Sequence, residues 1–143
     1  MMENRIKIEF LAKSENESFA RIAVSGLVAQ LDPTIDEMQD IKTAVSEAVT
    51  NAIIHGYQND ESKIVTLDLS ICKQTIEIMV SDSGIGIEDV EQAREPLYTS
   101  RPELERSGMG FTVMESFMDE VAIESDKLLG TKVIMKKKIG KVE

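Results

Sequence analysis

Apolar and polar positions follow two rhythms along this chain. Ile6, Ile8 and Phe10 alternate with Arg5, Lys7 and Glu9, which predicts a half-buried strand. Ser14-Glu15-Asn16-Glu17 then has the spacing of a capping box, with Ser14 as N-cap. It opens a helix whose apolar stripe is Phe19, Ile22, Ala23, Leu27 and Leu31, stopped at Asp32-Pro33. Thr34-Ile35-Asp36-Glu37 repeats the box and opens a second helix. Met38, Ile41, Val45, Ala48, Val49 and Ala52 form its stripe, and Gly56 is the expected C-cap.

The rhythm then changes to period two. Ile64 to Ile71 and Thr75 to Val80 predict an antiparallel hairpin turning at Cys72-Lys73-Gln74. A glycine-bearing loop follows, Ser81 to Ile87. Glu88 to Glu95 is compatible with a short helix, and Pro96 to Ser107 reads as a mobile loop. Gly108-Met109-Gly110 leads into a third main helix through Met118. Val121 to Ser125 and Thr131 to Lys136 close as a hairpin around Leu129-Gly130. The order predicts a single α/β domain over residues 1–143, a two-layer sandwich with helices on one face of a mixed, mostly antiparallel sheet.

Composition narrows the functional classes. The 143 residues carry a formal net charge of -10, against the clustered basic surface that direct nucleic-acid binding needs. Lys136, Lys137 and Lys138 form the only basic cluster and read as a solvated strand end. Cys72 is the only cysteine, so no intrachain disulfide forms, as suits a reducing cytosol. The opening Met1 to Phe10 lacks the apolar core of a signal peptide, and no run approaches the ~18 apolar residues of a membrane span. A soluble, cytoplasmic protein is expected, with no membrane partner.

Several residues carry chemistry. Glu47 and Asn51 lie four apart on the second helix and share one face at the border of its apolar stripe. A carboxylate there accepts a proton from a nucleophile, and an amide oxygen binds Mg²⁺, which takes few protein ligands. The same pair also fits plain helix-surface polarity. Asp82-Ser83-Gly84-Ile85-Gly86 follows a strand. Its glycines allow a flat ligand close to the backbone, and Asp82 offers an acceptor for an exocyclic amine. The loop fits a tight turn equally well, and it matches neither the dinucleotide fingerprint nor a P-loop. Gly108-Met109-Gly110 at a helix start suits phosphate, or a glycine N-cap. His55, the only histidine, fits a packing or capping role.

The order of these boxes says more than any one of them. Glu47…Asn51, Asp82-x-Gly84-x-Gly86, Gly108-x-Gly110 and Gly130-Thr131 together resemble the four nucleotide motifs of the GHKL superfamily of gyrase, Hsp90, histidine kinases and MutL. Across nearly its whole length the chain also resembles the anti-sigma kinases of endospore-forming bacilli. The stretches Asn16 to Arg21, Gln30 to Thr34, Ser46 to Tyr57 and Pro102 to Phe111 carry that likeness.

The resemblance implies a Bergerat ATP-binding fold and a protein-serine kinase using ATP/ADP and Mg²⁺. It implies Glu47 as general base, Asn51 as Mg²⁺ ligand and Asp82 as reader of the adenine amino group. Gly84, Gly86, Gly108 and Gly110 would shape the pocket, Thr131 would serve its adenine end, and Pro96 to Ser107 would be the ATP lid. Thr99, Ser107 and Met109 join the implied nucleotide contacts. Arg21 is implied in sigma-factor binding and Arg106 in contacts with an anti-anti-sigma factor, the serine substrate. The implied assembly is a homodimer that sequesters sigma F; a stress-response kinase of the sigma B type is the alternative.

Overall fold

The computed structural model describes residues 3–86, 110–126 and 129–140. Five strands, β1 (Asn4–Leu11), β2 (Ile64–Cys72), β3 (Thr75–Asp82), β4 (Glu120–Asp126) and β5 (Gly130–Lys138), form one sheet in the order β1-β2-β3-β5-β4. Every described pairing is antiparallel. Among the described residues three α-helices, α1 (Glu15–Val28), α2 (Ile35–Asn51) and α3 (Gly110–Phe117), accompany it.

Strand alternation decides which face of the sheet is buried. Val65, Leu67, Leu69 and Ile71 of β2 are buried, as are Ile76, Ile78 and Val80 of β3. They form one core with Val24, Leu27, Ile41, Val45, Val49 and Met114 from the helices. The opposite face carries polar pairs. There Arg5 holds Asp68 with two hydrogen bonds of 3.0 and 2.6 Å, tying β1 to β2 and keeping the Asp68 carboxyl below its ordinary range.

The Thr34 capping box forms as expected. The Glu37 N–H donates to Thr34 Oγ1 at 3.0 Å, and Glu37 Oε1 accepts from the Thr34 N–H at 2.9 Å. Glu37 also accepts from the Gly140 N–H, at 3.1 Å to Oε2, which fastens the last strand's exit to the start of α2. The box at Ser14 does not form. Ser14 is itself helical (φ -58°, ψ -32°) and makes no side-chain cap bond, because the capping geometry needs an extended N-cap residue. Glu17 instead contacts Arg21 one turn on.

The expected stripe of α1 holds only at its C-terminal end, where Leu27 and Leu31 are buried. Upstream Ala20 and Val24 face the core, with Val28 beside Leu27, while Phe19 and Ile22 are 52% and 68% exposed. Two stripes of similar hydropathy run along this helix, and α2 buries the one with smaller residues. Leu31 lies in a short 3₁₀ turn, Ala29–Leu31, closed by Asp32 in a left-handed conformation (φ 56°).

The lysine run divides into separate roles. Lys136 pairs with Glu77 on the neighbouring strand at 3.6 Å. Lys137 points to the helix side, where its ammonium donates to the Phe117 carbonyl at 2.8 Å and caps the C-terminus of α3. The Lys138 N–H donates to Asp119 at 2.8 Å.

Candidate nucleotide site

The site grows out of the alternation of β3. Counting in twos from Ile76 through Ile78 and Val80 reaches Asp82, so a carboxylate occupies the last core-facing position of the strand. It is 7% exposed. Opposite it in register is Thr131, which follows the same inward phase as Val133 and Met135 and is 4% exposed. Asp82 Oδ1 accepts the Gly84 N–H at 2.9 Å. Burial outweighs the bonds from the Gly84 and Thr131 backbone and pushes the Asp82 carboxyl up to about 6. Thr131 Oγ1 shares a 2.9 Å hydrogen bond with Ser125 Oγ, which fixes its rotamer.

Backbone closes tightly round this carboxylate. A Cβ on Gly56 would lie 2.6 Å from Asp82 Cγ, and one on Gly84 would lie 1.9 Å from the Gly56 carbonyl oxygen. Gly130, at φ +94°, would bring a Cβ within 2.1 Å of the Asp82 carbonyl oxygen. The three glycines thus let main chain close to a cradle round the buried carboxylate, with the Thr131 hydroxyl beside it. That carboxylate suits a flat heterocycle bearing an N–H donor.

Glu47 and Asn51 occupy the last turns of α2, half-buried on one face, as their spacing predicts. Gly110 begins α3, which packs along α2. Gly86 ends the described part of the loop with φ +75°. Thr99, Arg106, Ser107, Gly108 and Met109, with the lid Pro96 to Ser107 and the run Glu88 to Glu95, lie outside the described residues. Arg21 contacts only its own helix among the bonds described for it. Its guanidinium is in ion-pair contact with Glu17, without hydrogen-bond alignment, and donates to Ser18 Oγ at 3.2 Å.

Gly56 is not the expected left-handed cap. After Asn51 the helix widens into a π turn, Ala52–Gly56, closed by the Tyr57 N–H on the Ala52 carbonyl at 2.9 Å. The half-buried His55 lies within it. This turn carries Gly56 onto Asp82, and the Gly56 carbonyl accepts the Ile85 N–H at 3.0 Å. Gly56 and Tyr57 are thus site residues that periodicity did not mark. Nothing in local spacing signals an i→i-5 turn, which tertiary contacts select.

The raised Asp82 pKa gives a signed prediction. Between about 4 and about 6 the folded chain binds more protons than the unfolded one, so stability without ligand falls as pH rises through that window. The burden on the ionised form at neutral pH is on the order of 2–3 kcal/mol. Denaturant midpoints should therefore fall from pH 4.5 to pH 7 more for the parent than for Asp82→Asn; parallel curves would count against the assignment.

Comparison with known proteins identifies the family. The model of the histidine kinase-like ATPase domain matches residues 10–137. The anti-sigma F factor of Clostridium perfringens (strain SM101 / Type A) is 69% identical over 139 residues, covering 97% of this chain and 99% of that one. That of Clostridium novyi (strain NT) is 62% identical over the full length of both. In the crystal structure of the RsbU and RsbW domains of Rv1364c from Mycobacterium tuberculosis, the same fold recurs with a TM-score of 0.66 and 17% identity. It covers 95% of this chain, which spans 32% of that one. This chain belongs to the anti-sigma F factors, a family built on the histidine kinase-like ATPase domain.

Proposed function

We propose that this protein is an anti-sigma factor and protein-serine kinase, which holds sigma F inactive and uses ATP to phosphorylate a serine of its anti-anti-sigma factor. The observation that carries the nucleotide half is Asp82, a buried carboxylate that the main chain at Gly56, Gly84 and Gly130 approaches closely. In its ionised form it accepts a hydrogen bond from the adenine amino group, with Thr131 beside it. Affinity for ATP then falls as pH drops through about 6, because protonation adds an O–H donor and leaves a weaker, uncharged acceptor for the amino group. The relatives' names supply the sigma-factor half.

Glu47 takes the proton of the incoming serine hydroxyl, and Asn51 offers its amide oxygen to Mg²⁺. Among the described residues no group of three or more His, Cys, Asp or Glu side chains could hold a metal ion. Mg²⁺ takes few protein ligands, and Asn51 would be one that holds it here. Held there, it would supply positive charge to offset that of the phosphates. The backbone N–H groups at the start of α3, with Gly108 and Met109 before it, would meet the phosphates. Positioning and charge neutralisation are most of what phosphoryl transfer asks of a protein. Thr99 and Ser107 would add nucleotide contacts, and Arg106 would meet the anti-anti-sigma factor.

Asn51→Ala should weaken Mg·ATP binding by about tenfold or more, the worth of one charge-assisted contact, with the fold intact. Calorimetry with and without Mg²⁺ checks it; equal affinities would remove Asn51 from the metal site.

Two copies of the chain associate in this reading. The apolar Phe19 and Ile22 left outside the core, and the edge position of β1, support such a contact. Arg21, on the same helix, faces sigma. Arg21→Ala should weaken sigma F binding by roughly 30-fold and leave ATP affinity unchanged. Affinity measurements with sigma F and with a sigma B type factor, in the presence of ATP or ADP, check this and separate the two possible partners. The decisive test of the kinase is incubation with labelled ATP and the anti-anti-sigma factor. Label on a serine supports the proposal, and a partner left unlabelled while ATP stays bound sinks the kinase half.

A further inference from the structure

The candidate site is split between two elements. Glu47 and Asn51 ride on α2, whereas Asp82 and its loop belong to β3. Something must hold the two halves at a fixed separation, since a nucleotide spans both. The joint between them is the π turn and the residue that follows it.

Tyr57 is 8% exposed, and its hydroxyl is used in both directions. The Ser83 N–H donates to Tyr57 Oη at 2.7 Å, and Tyr57 Oη donates to the Ile64 carbonyl at 2.5 Å. A phenol has one hydrogen to give, and it goes to Ile64, so the oxygen is left as acceptor for Ser83. Ser83 directly follows Asp82. One side chain therefore pins the end of the Asn51-bearing helix, the loop beside the buried carboxylate and the first residue of β2. Gly56, one position earlier, adds the 3.0 Å bond from the Ile85 N–H and the close approach to Asp82.

We infer that Tyr57 is a positioning residue for adenine recognition: through Ser83 it sets where the Asp82 carboxylate stands relative to Glu47 and Asn51. The inference rests on the nucleotide reading of the site. It makes Tyr57 more than a core aromatic, because its hydroxyl acts on the loop that meets the base. An aromatic kept only for packing would tolerate loss of that hydroxyl with a change in stability alone.

Tyr57→Phe keeps the ring and removes the bond that anchors Ser83. ATP affinity should fall roughly tenfold, the worth of one such buried bond, and the preference for ATP over GTP should narrow. Ile139→Ala serves as the structural control, since Ile139 is fully buried and its N–H donates to Gln74 at the turn that begins β3, the end opposite Asp82. It should lower the melting temperature while leaving ATP affinity and base preference as in the parent. The same titrations with Mg·tripolyphosphate as competitor should show the phosphate half undisturbed in Tyr57→Phe. In the parent protein, amide exchange should show Ser83 strongly protected before ATP is added.

Parent-like ATP affinity and ATP/GTP ratio in Tyr57→Phe would overturn the inference. So would equal losses of affinity in Tyr57→Phe and Ile139→Ala, which would make the effect one of stability. A rapidly exchanging Ser83 amide in the parent would overturn it without any variant having to fold. A parent that binds no ATP would overturn the nucleotide reading itself, and this inference with it.

Discussion

Glu47→Gln should bind Mg·ATP as the parent does and transfer its phosphoryl group roughly 10²–10⁴ times more slowly, the usual cost of losing a general base. Glutamine keeps the length and the hydrogen-bonding oxygen of glutamate, so the half-buried position near the end of α2 is filled as before. What disappears is basicity at the atom proposed to receive the serine proton. The slowing corresponds to about 3–5 kcal/mol of barrier. Asn51 lies one turn on, on the same face, so metal and base effects must be separated. Single-turnover transfer of labelled phosphate at saturating Mg²⁺ does this, because metal loss can be offset by concentration and loss of the base cannot. A variant that phosphorylates at the parent rate would take Glu47 out of the mechanism.

Gly84→Ala should abolish measurable ATP binding and destabilise the chain. The new Cβ would meet the Gly56 carbonyl oxygen at 1.9 Å and Asp82 Oδ1 at 3.0 Å. A carbonyl held in a π turn cannot swing aside as a flexible side chain would. Either the loop lifts away or the turn unwinds. Both routes break the Gly84 N–H bond to Asp82 or the Ile85 N–H bond to Gly56. Overpacking of this kind costs about 1–3 kcal/mol, and more where backbone must move. Gly26 is the matched control. It lies within α1, with nothing within 4 Å of a Cβ, and Gly26→Ala should stabilise by roughly 0.5–1 kcal/mol through helix propensity. Thermal unfolding and ATP titration of both variants check the pair. Undiminished ATP binding by Gly84→Ala would mean that the cradle does not hold the base.

Some of the fold and site was legible residue by residue. Period-two alternation placed the β2–β3 and β4–β5 hairpins, and its parity decides that Asp82 and Thr131 face inward, since successive side chains on a strand must take opposite faces. The i, i+4 spacing of Glu47 and Asn51 puts them on one face of α2 whatever surrounds it. The Thr34 box closed because its residues satisfy each other within one turn of chain. The identical spacing at Ser14 did not close, because the chain enters α1 already helical there and the side chain is held from its target.

Other features depended on what packs against what. Helix α1 has two apolar stripes, and only contact with α2 chooses Ala20 and Val24 over Phe19 and Ile22. Lys137 looked like one member of a solvated basic run. It caps α3 because β5 brings it beside Phe117, 20 residues earlier. Gly56 and Tyr57 are separated from Ser83 and Asp82 by more than 20 positions, and no local rule couples them. The sequence alone determined periodicity, parity and the chemistry each position can offer, because these depend on backbone geometry over a few residues. The tertiary structure decided which helix face is buried, where α2 widens into a π turn, and which distant backbone closes on the carboxylate, because each is selected by the free energy of long-range contacts.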